Sequence, residues 1–185
     1  MNIIRNTPVA LVLAALAMVT LAMGGARPDA YSTCVDENGK ISMPRDYRAN
    51  WAHLGSWAVP AQTDPGSGFH DVYTQRETVE YYKKNKRFPD GAVLVKEIRK
   101  AVWDEMATGH VVYAGDTDTW FVMVKDDKER FPGNANWGDG WGWGLFKAAD
   151  PSINTSKNYK EDCIPCHEPA KETDWVYITG YPTLR

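Results

Sequence analysis

Cysteine is scarce in this sequence, three in 185 residues, and that excludes a small disulfide-stapled scaffold. Histidine is nearly as rare, at four, so a structural zinc site, which needs four Cys or His ligands, has little to draw on. There is no internal repeat, no low-complexity segment and no run of like charge. Solenoids, disordered tails and a nucleic-acid-binding patch therefore have no support in the pattern. The formal net charge is −3. Long apolar runs are also missing apart from one, Pro8 to Met23 (PVALVLAALAMVTLAM), which is short for a bilayer span.

That run follows Arg5 and precedes Gly24-Gly25-Ala26, the charged, apolar, small-residue order of a secretory signal. A membrane anchor is the competing reading, but no basic stop-transfer cluster follows the run. Residues 1–26 are thus expected to be a signal peptide, cut after Ala26 or as late as Ala30. Residues 31–185 are then expected to form a single exported, periplasmic domain, with no membrane segment after cleavage. Eight Trp and nine Tyr suit either a β-rich core or one packed against a flat ring system.

Turn signals crowd residues 31–68, so that stretch reads as irregular apart from a short helix over Tyr47 to Leu54. Phe69 to Thr74 reads as a strand, and Thr74-Gln75-Arg76-Glu77 as a capping box opening a helix to about Lys84. Val79 and Tyr82 then face the core, and Glu80 and Lys84 pair on the wet side. Val-, Ile- and aromatic-rich strands follow at Ala92–Ile98, His110–Tyr113, Thr119–Lys125, Trp141–Phe146 and Trp175–Thr179, with turns at Pro89-Asp90-Gly91, Ala114-Gly115-Asp116 and Pro132-Gly133-Asn134. Ile153 to His167 reads as a helix. The predicted fold class is mainly β, an antiparallel sheet with a few helices.

The chemistry is carried by Cys163-Ile164-Pro165-Cys166-His167. Two thiols separated by two residues can add to the two vinyl groups of haem, and the adjacent His is delivered to the iron as proximal ligand. A zinc half-site lacks further ligands, because only Cys34 and three scattered His remain. A redox Cys pair is the other alternative. Cys34 is left over as a free thiol or an intermolecular bridge. No Met or His follows His167, so a sixth ligand comes from upstream, is water, or is absent. Met43, Met106, Met123, His53, His70 and His110 are the upstream candidates. An open far side favours ligand chemistry over pure electron transfer.

One lysine stands out. In Ala92-Val93-Leu94-Val95-Lys96-Glu97-Ile98 the strand alternation puts Lys96 between Leu94 and Ile98 on one face. An edge lysine snorkelling to water is one reading. A desolvated amine of lowered pKa, usable as a nucleophile, is the other.

The stretches Val72-Tyr73, Tyr82-Lys83-Lys84, Phe88 to Glu97 and Trp141 to Phe146, with the block from Cys163 through Thr173-Asp174-Trp175-Val176-Tyr177 to Tyr181-Pro182, resemble the cytochrome P-460 family of periplasmic haem enzymes that oxidise hydroxylamine. The resemblance implies one covalent c-type haem packed against the sheet, with His167 as proximal ligand on five-coordinate iron. It implies a third covalent link from Lys96 to a meso carbon of the haem, and a homodimer. It implies oxidation of hydroxylamine to nitrous oxide, or to nitric oxide and nitrite, with a small cytochrome as electron acceptor. Phe69 and His70 match the positions of the family's distal aromatic and basic or polar residues, with His70 where others carry Arg or Lys. Asp71 and Asp139 are guesses for its distal carboxylate. The related cytochrome c′-beta has a similar fold without the lysine link and binds nitric oxide. A gas binder of that kind, or an electron-transfer cytochrome with an upstream ligand, is the alternative.

Overall fold

The computed structural model describes residues 31–185; the expected signal peptide lies outside the described residues. Helix α1 (Tyr47–Asn50) leads into strand β1 (Ala52–Val59), then β2 (Gly68–Thr74), helix α2 (Arg76–Asn85), β3 (Val93–Met106), β4 (Gly109–Lys125), β5 (Trp137–Gly138) and β6 (Trp141–Lys147). Two one-turn helices, α3 (Tyr159–Asp162) and α4 (Ile164–His167), and three short 3-10 segments complete the described chain. The strands form one antiparallel sheet in the order β1-β2-β3-β4-β6-β5. The mainly β, antiparallel expectation holds. Among the described residues no helix is long and apolar enough to cross a membrane.

Both faces of the sheet are covered, which is why the central strands read as nearly continuous apolar runs. One face carries Val93, Val95, Val122, Val124 and Phe146 under the segment bearing Cys34, Ile41 and Tyr47. The other carries Leu54, Val72, Leu94, Met123, Trp141 and Trp143 under α2 and the C-terminal segment. The run Trp141-Gly142-Trp143-Gly144 divides its bulk between these faces. Both indoles go to the second face, and a Cβ at Gly142 would stand 2.6 Å from the Trp137 ring on the first. Large residues at both glycines would have no room.

Several local expectations are corrected. α1 stops at Asn50, and residues 52–59 are strand, not loop. A register shift between His53 and Gly55 breaks the alternation that would have announced β1. Thr74 is the last residue of β2 rather than a helix cap, and its hydroxyl donates to the Val93 carbonyl at 2.7 Å. Val79 and Tyr82 are buried as expected, but Glu80 and Lys84 form no ion pair. Ala114-Gly115-Asp116 lies inside β4 opposite a bulge at Arg99–Ala101, not in a turn. The helix over 153–167 reduces to α3 and α4, broken at Cys163. Trp175–Thr179 is not a strand, because Asp174 and Trp175 take φ of 58° and 65° and reverse the chain.

Candidate haem site

The site lies on the second face of the sheet, and cross-strand pairing orders its residues in rows. Leu94 pairs Met123, which pairs Trp143. One pleat along, Val72 pairs Lys96, which pairs Phe121. One pleat further, Trp57 pairs His70, which pairs Ile98. Side chains on one face repeat every second residue, so successive rows stand about 6.6 Å apart. Lys96 is therefore on a central strand, between the Met123–Trp143 row and the His70 row. The snorkelling edge reading does not apply to it.

The C-terminal segment lays the Cys-x-x-Cys-His motif over this face. His167, Lys96, Val72, Leu94, Phe121, Met123, Val176, Tyr177 and Tyr181 line one cavity. The His167 ring packs edge-on against Trp143, with centroids 5.1 Å apart, and near Tyr177 at 6.1 Å. Its Nδ1–H donates to the Trp175 carbonyl at 2.6 Å. A carbonyl can only accept, so Nδ1 carries the proton and the Nε2 lone pair is left for a ligand bond, the usual arrangement behind a metal-binding imidazole. Burial, with Lys96 nearby, holds the imidazole below its ordinary pKa, which keeps it neutral. Cys166 is exposed, and Cys163 is buried with its thiol pushed up to about 12, chiefly by burial. Burial that penalises a thiolate does not penalise an uncharged thioether.

Lys96 Nζ lies 5.0 Å from the centre of the Phe121 ring. Enclosure by these neighbours lowers its pKa, opposed by the two cysteines. His70 is 6% exposed. Its Nε2–H donates to the Gly66 carbonyl at 2.6 Å, and its ring sits 5.7 Å from that of Trp57. Nδ1, then an unprotonated acceptor, is buried with no hydrogen-bond partner. Native interiors rarely leave such an atom orphaned.

Of the residues singled out from sequence, Cys163, Cys166, His167, Lys96 and His70 meet on this face. Phe69 does not. It pairs Arg99 and, one residue from His70, points to the opposite face. Asp71 is on that opposite face too, within 3.9 Å of Arg99 and hydrogen-bonded by Ser56. Asp139 sits in the β5–β6 turn and accepts from the Tyr159 hydroxyl at 3.0 Å. Met123 lies in the Trp143 row, on the His167 side. Met106 and His110 are far out on the β3–β4 hairpin, and Met43 and His53 belong to the opposite face. Cys34 is buried beside the Ser32 hydroxyl and unbridged within the chain. Trp57 and Phe121 escaped notice because an aromatic on a strand is ordinary core until its row is known.

The donor set fits a covalently held haem: two thiols at the attachment spacing, an imidazole with Nε2 free, largely apolar walls, and, on the same sheet face one row beyond Lys96, a buried imidazole whose acceptor is unspent. A sequence search finds no match among curated proteins. The sequence model of the cytochrome P460 family matches residues 44–178, a span that includes α1, the whole sheet and the haem motif. With most of its length inside that match and a haem-binding donor set on the covered face of its sheet, the chain belongs to the cytochrome P460 family of haem proteins.

Proposed function

We propose that this chain is a periplasmic mono-haem c-type oxidoreductase that oxidises hydroxylamine, with a third covalent tether at Lys96. The observation that carries this reading is the position of Lys96, one pleat from the row that backs His167 and one pleat from His70. His167 packs on Trp143, so His167, Lys96 and His70 follow one another along this face and would all lie within reach of a haem held by the Cys-x-x-Cys-His motif.

The bound haem supplies a Lewis-acidic iron with accessible one-electron steps. Cys163 and Cys166 would hold it through thioethers, and Nε2 of His167 would be its protein ligand. The lowered pKa of Lys96 leaves a larger share of free amine, the form that can bond to carbon. His70 accepts a proton at Nδ1 from the nitrogen or oxygen of hydroxylamine, while its Nε2–H stays anchored on Gly66. Trp57, rather than Phe69, supplies the aromatic beside it. Electrons leave to a small soluble cytochrome, since one haem cannot store the several that hydroxylamine releases.

The β3–β4 hairpin supports a homodimer. Beyond Arg99 and Thr117 it runs on as a two-stranded ribbon with Trp103 60% and Met106 50% exposed. Such a ribbon is marginal by itself in water, and a second copy would cover its apolar side chains.

The test is spectral. The holoprotein should give a ferrous Soret band far to the red of ordinary c-type haem and consume hydroxylamine. Its mass should be that of chain plus haem less two hydrogens, the pair that a two-electron oxidant such as a peroxide takes up, one from the Lys96 nitrogen and one from the haem carbon, when the two bond. Lys96→Ala should restore the ordinary spectrum and the two hydrogens, and abolish turnover. An ordinary c-type spectrum in the parent would favour a nitric oxide binder and sink the enzyme reading.

A further inference from the structure

The hydrogen bond that orients His167 ends on a carbonyl in a conformation its own residue resists. Trp175 lies at φ 65°, directly after Asp174 at φ 58°, and a bulky aromatic there is strained. The Asp174 and Trp175 amides close the preceding 3-10 segment by donating to Lys171 and Ala170. The outer grip comes from the sheet. Lys125, at the end of β4, places Nζ 2.9 Å from Asp174 Oδ1. The Trp141 indole N–H donates to the same oxygen at 3.2 Å. Lys125 is itself buried, lies over the Trp141 ring at 5.0 Å, and pairs with Asp127 at 3.3 Å. A charge-assisted pair at a buried lysine is an expensive way to fix a turn, and this turn is the one that faces the proposed haem ligand.

We propose that Lys125 and Asp174 are positioning residues for the proximal ligand: through Asp174 they hold the Trp175 carbonyl on Nδ1 of His167, and so set how strongly that imidazole donates to haem iron. The proposal rests on the haem reading above. A firm acceptor on Nδ1–H gives the ring imidazolate character, strengthens the bond through Nε2 and favours ferric iron. Loosening the clamp lets the carbonyl withdraw, weakens that bond and raises the reduction potential.

The experiment uses the full chain matured with haem, as parent, Lys125→Met, Asp174→Asn, the double variant, and Asp127→Asn. Asparagine tolerates positive φ, so Asp174→Asn removes charge without forbidding the turn. Covalent haem is confirmed by mass, and the ferrous iron–histidine stretch is read by resonance Raman beside the reduction potential and the thermal midpoint. Lys125→Met and Asp174→Asn should lower the stretching frequency and raise the potential. Asp127→Asn, which removes only the outer partner of Lys125, should change neither. The double variant leaves no lone buried charge, so its thermal midpoint should recover toward the parent while its stretch stays low. A purely structural pair would not part these two readouts. Parental frequencies in the haem-loaded single variants overturn the proposal, as does a double variant that regains the parental frequency. A parent chain that takes up no haem instead overturns the haem reading, and the clamp with it.

Discussion

Replacing His70 by glutamine tests the distal side with base chemistry separated from packing. The glutamine amide can still donate to the Gly66 carbonyl, which His70 Nε2–H reaches at 2.6 Å, but it cannot take up a proton near neutral pH. The structural cost is a weakened hydrogen bond, about 0.5–1.5 kcal/mol, plus loss of the ring contact with Trp57, up to about 1 kcal/mol. A loss of about 1–2 kcal/mol lowers Tm by only about 2–8 °C for a chain of this size. Losing a positioned general base costs far more in rate, about 10²–10⁴-fold in kcat, or about 2.7–5.4 kcal/mol of barrier. The pH profile gives an independent sign. Burial, the largest cause, opposed chiefly by the hydrogen bond to the Gly66 carbonyl, holds the His70 pKa below 6.5. The base is therefore unprotonated at neutral pH, and kcat/KM should fall only as pH drops through that lowered value. The same depression makes His70 an acid-destabilising group. The unfolded chain binds the proton more readily, so stability is full above about 6.5 and declines as pH falls below it. Steady-state hydroxylamine oxidation with a dye acceptor, followed across pH beside thermal melts, reads both effects. If His70→Gln keeps kcat within about threefold, or retains the acid limb of the profile, His70 is not the base.

Glu97, fully buried on the opposite face, accepts from the Tyr47 hydroxyl at 2.9 Å and Arg48 Nε at 2.9 Å, and is also bonded by Thr117. Arg48 can turn to water, but the buried Tyr47 hydroxyl would lose its acceptor. Glu97→Ala should therefore cost about 2–4 kcal/mol in urea unfolding, and a loss under 1 kcal/mol would contradict this network. Hydrogen bonds from Arg48, Thr117 and Tyr47 outweigh burial and hold the Glu97 pKa below 4.5. Its stabilisation is present above that value and fades as pH falls through the folded pKa, so Glu97→Gln should flatten the acid slope of stability. Trp103→Ser with Met106→Ser should convert a sedimenting dimer into monomer while leaving the haem spectrum intact. A double variant that stays dimeric would remove the hairpin from the interface.

The proposed haem-attachment residues were legible in sequence because covalent attachment of this kind requires a fixed spacing that no tertiary contact can alter. Lys96 was visible for a related reason: strand alternation put it on an apolar face. The distal side was not legible. Phe69 and His70 are neighbours in sequence, and the period of two that makes a strand sends neighbours to opposite faces. Asp71 failed for the same reason. Strand β1 was missed because the shift at His53–Gly55 destroys its period, and Trp57, the aromatic beside His70, was lost with it. The C-terminal segment was misread as helix and strand because Asp174 and Trp175 adopt positive φ, a state that local propensity disfavours and distant contacts from Lys125 and Trp141 support.

By itself, then, the sequence determined what is local or covalent: the Cys163-Ile164-Pro165-Cys166-His167 attachment motif, the mainly β character, and an alternation that makes Lys96 inward-facing. Only the tertiary structure decided what depends on pairing between strands far apart in the chain. It put Lys96 between the row behind His167 and the row of His70, turned Phe69 and Asp71 away, and set the Trp175 carbonyl on His167. The physical reason is that register, not propensity, fixes which side chains share a row, and register is set by the whole sheet packing on both faces at once.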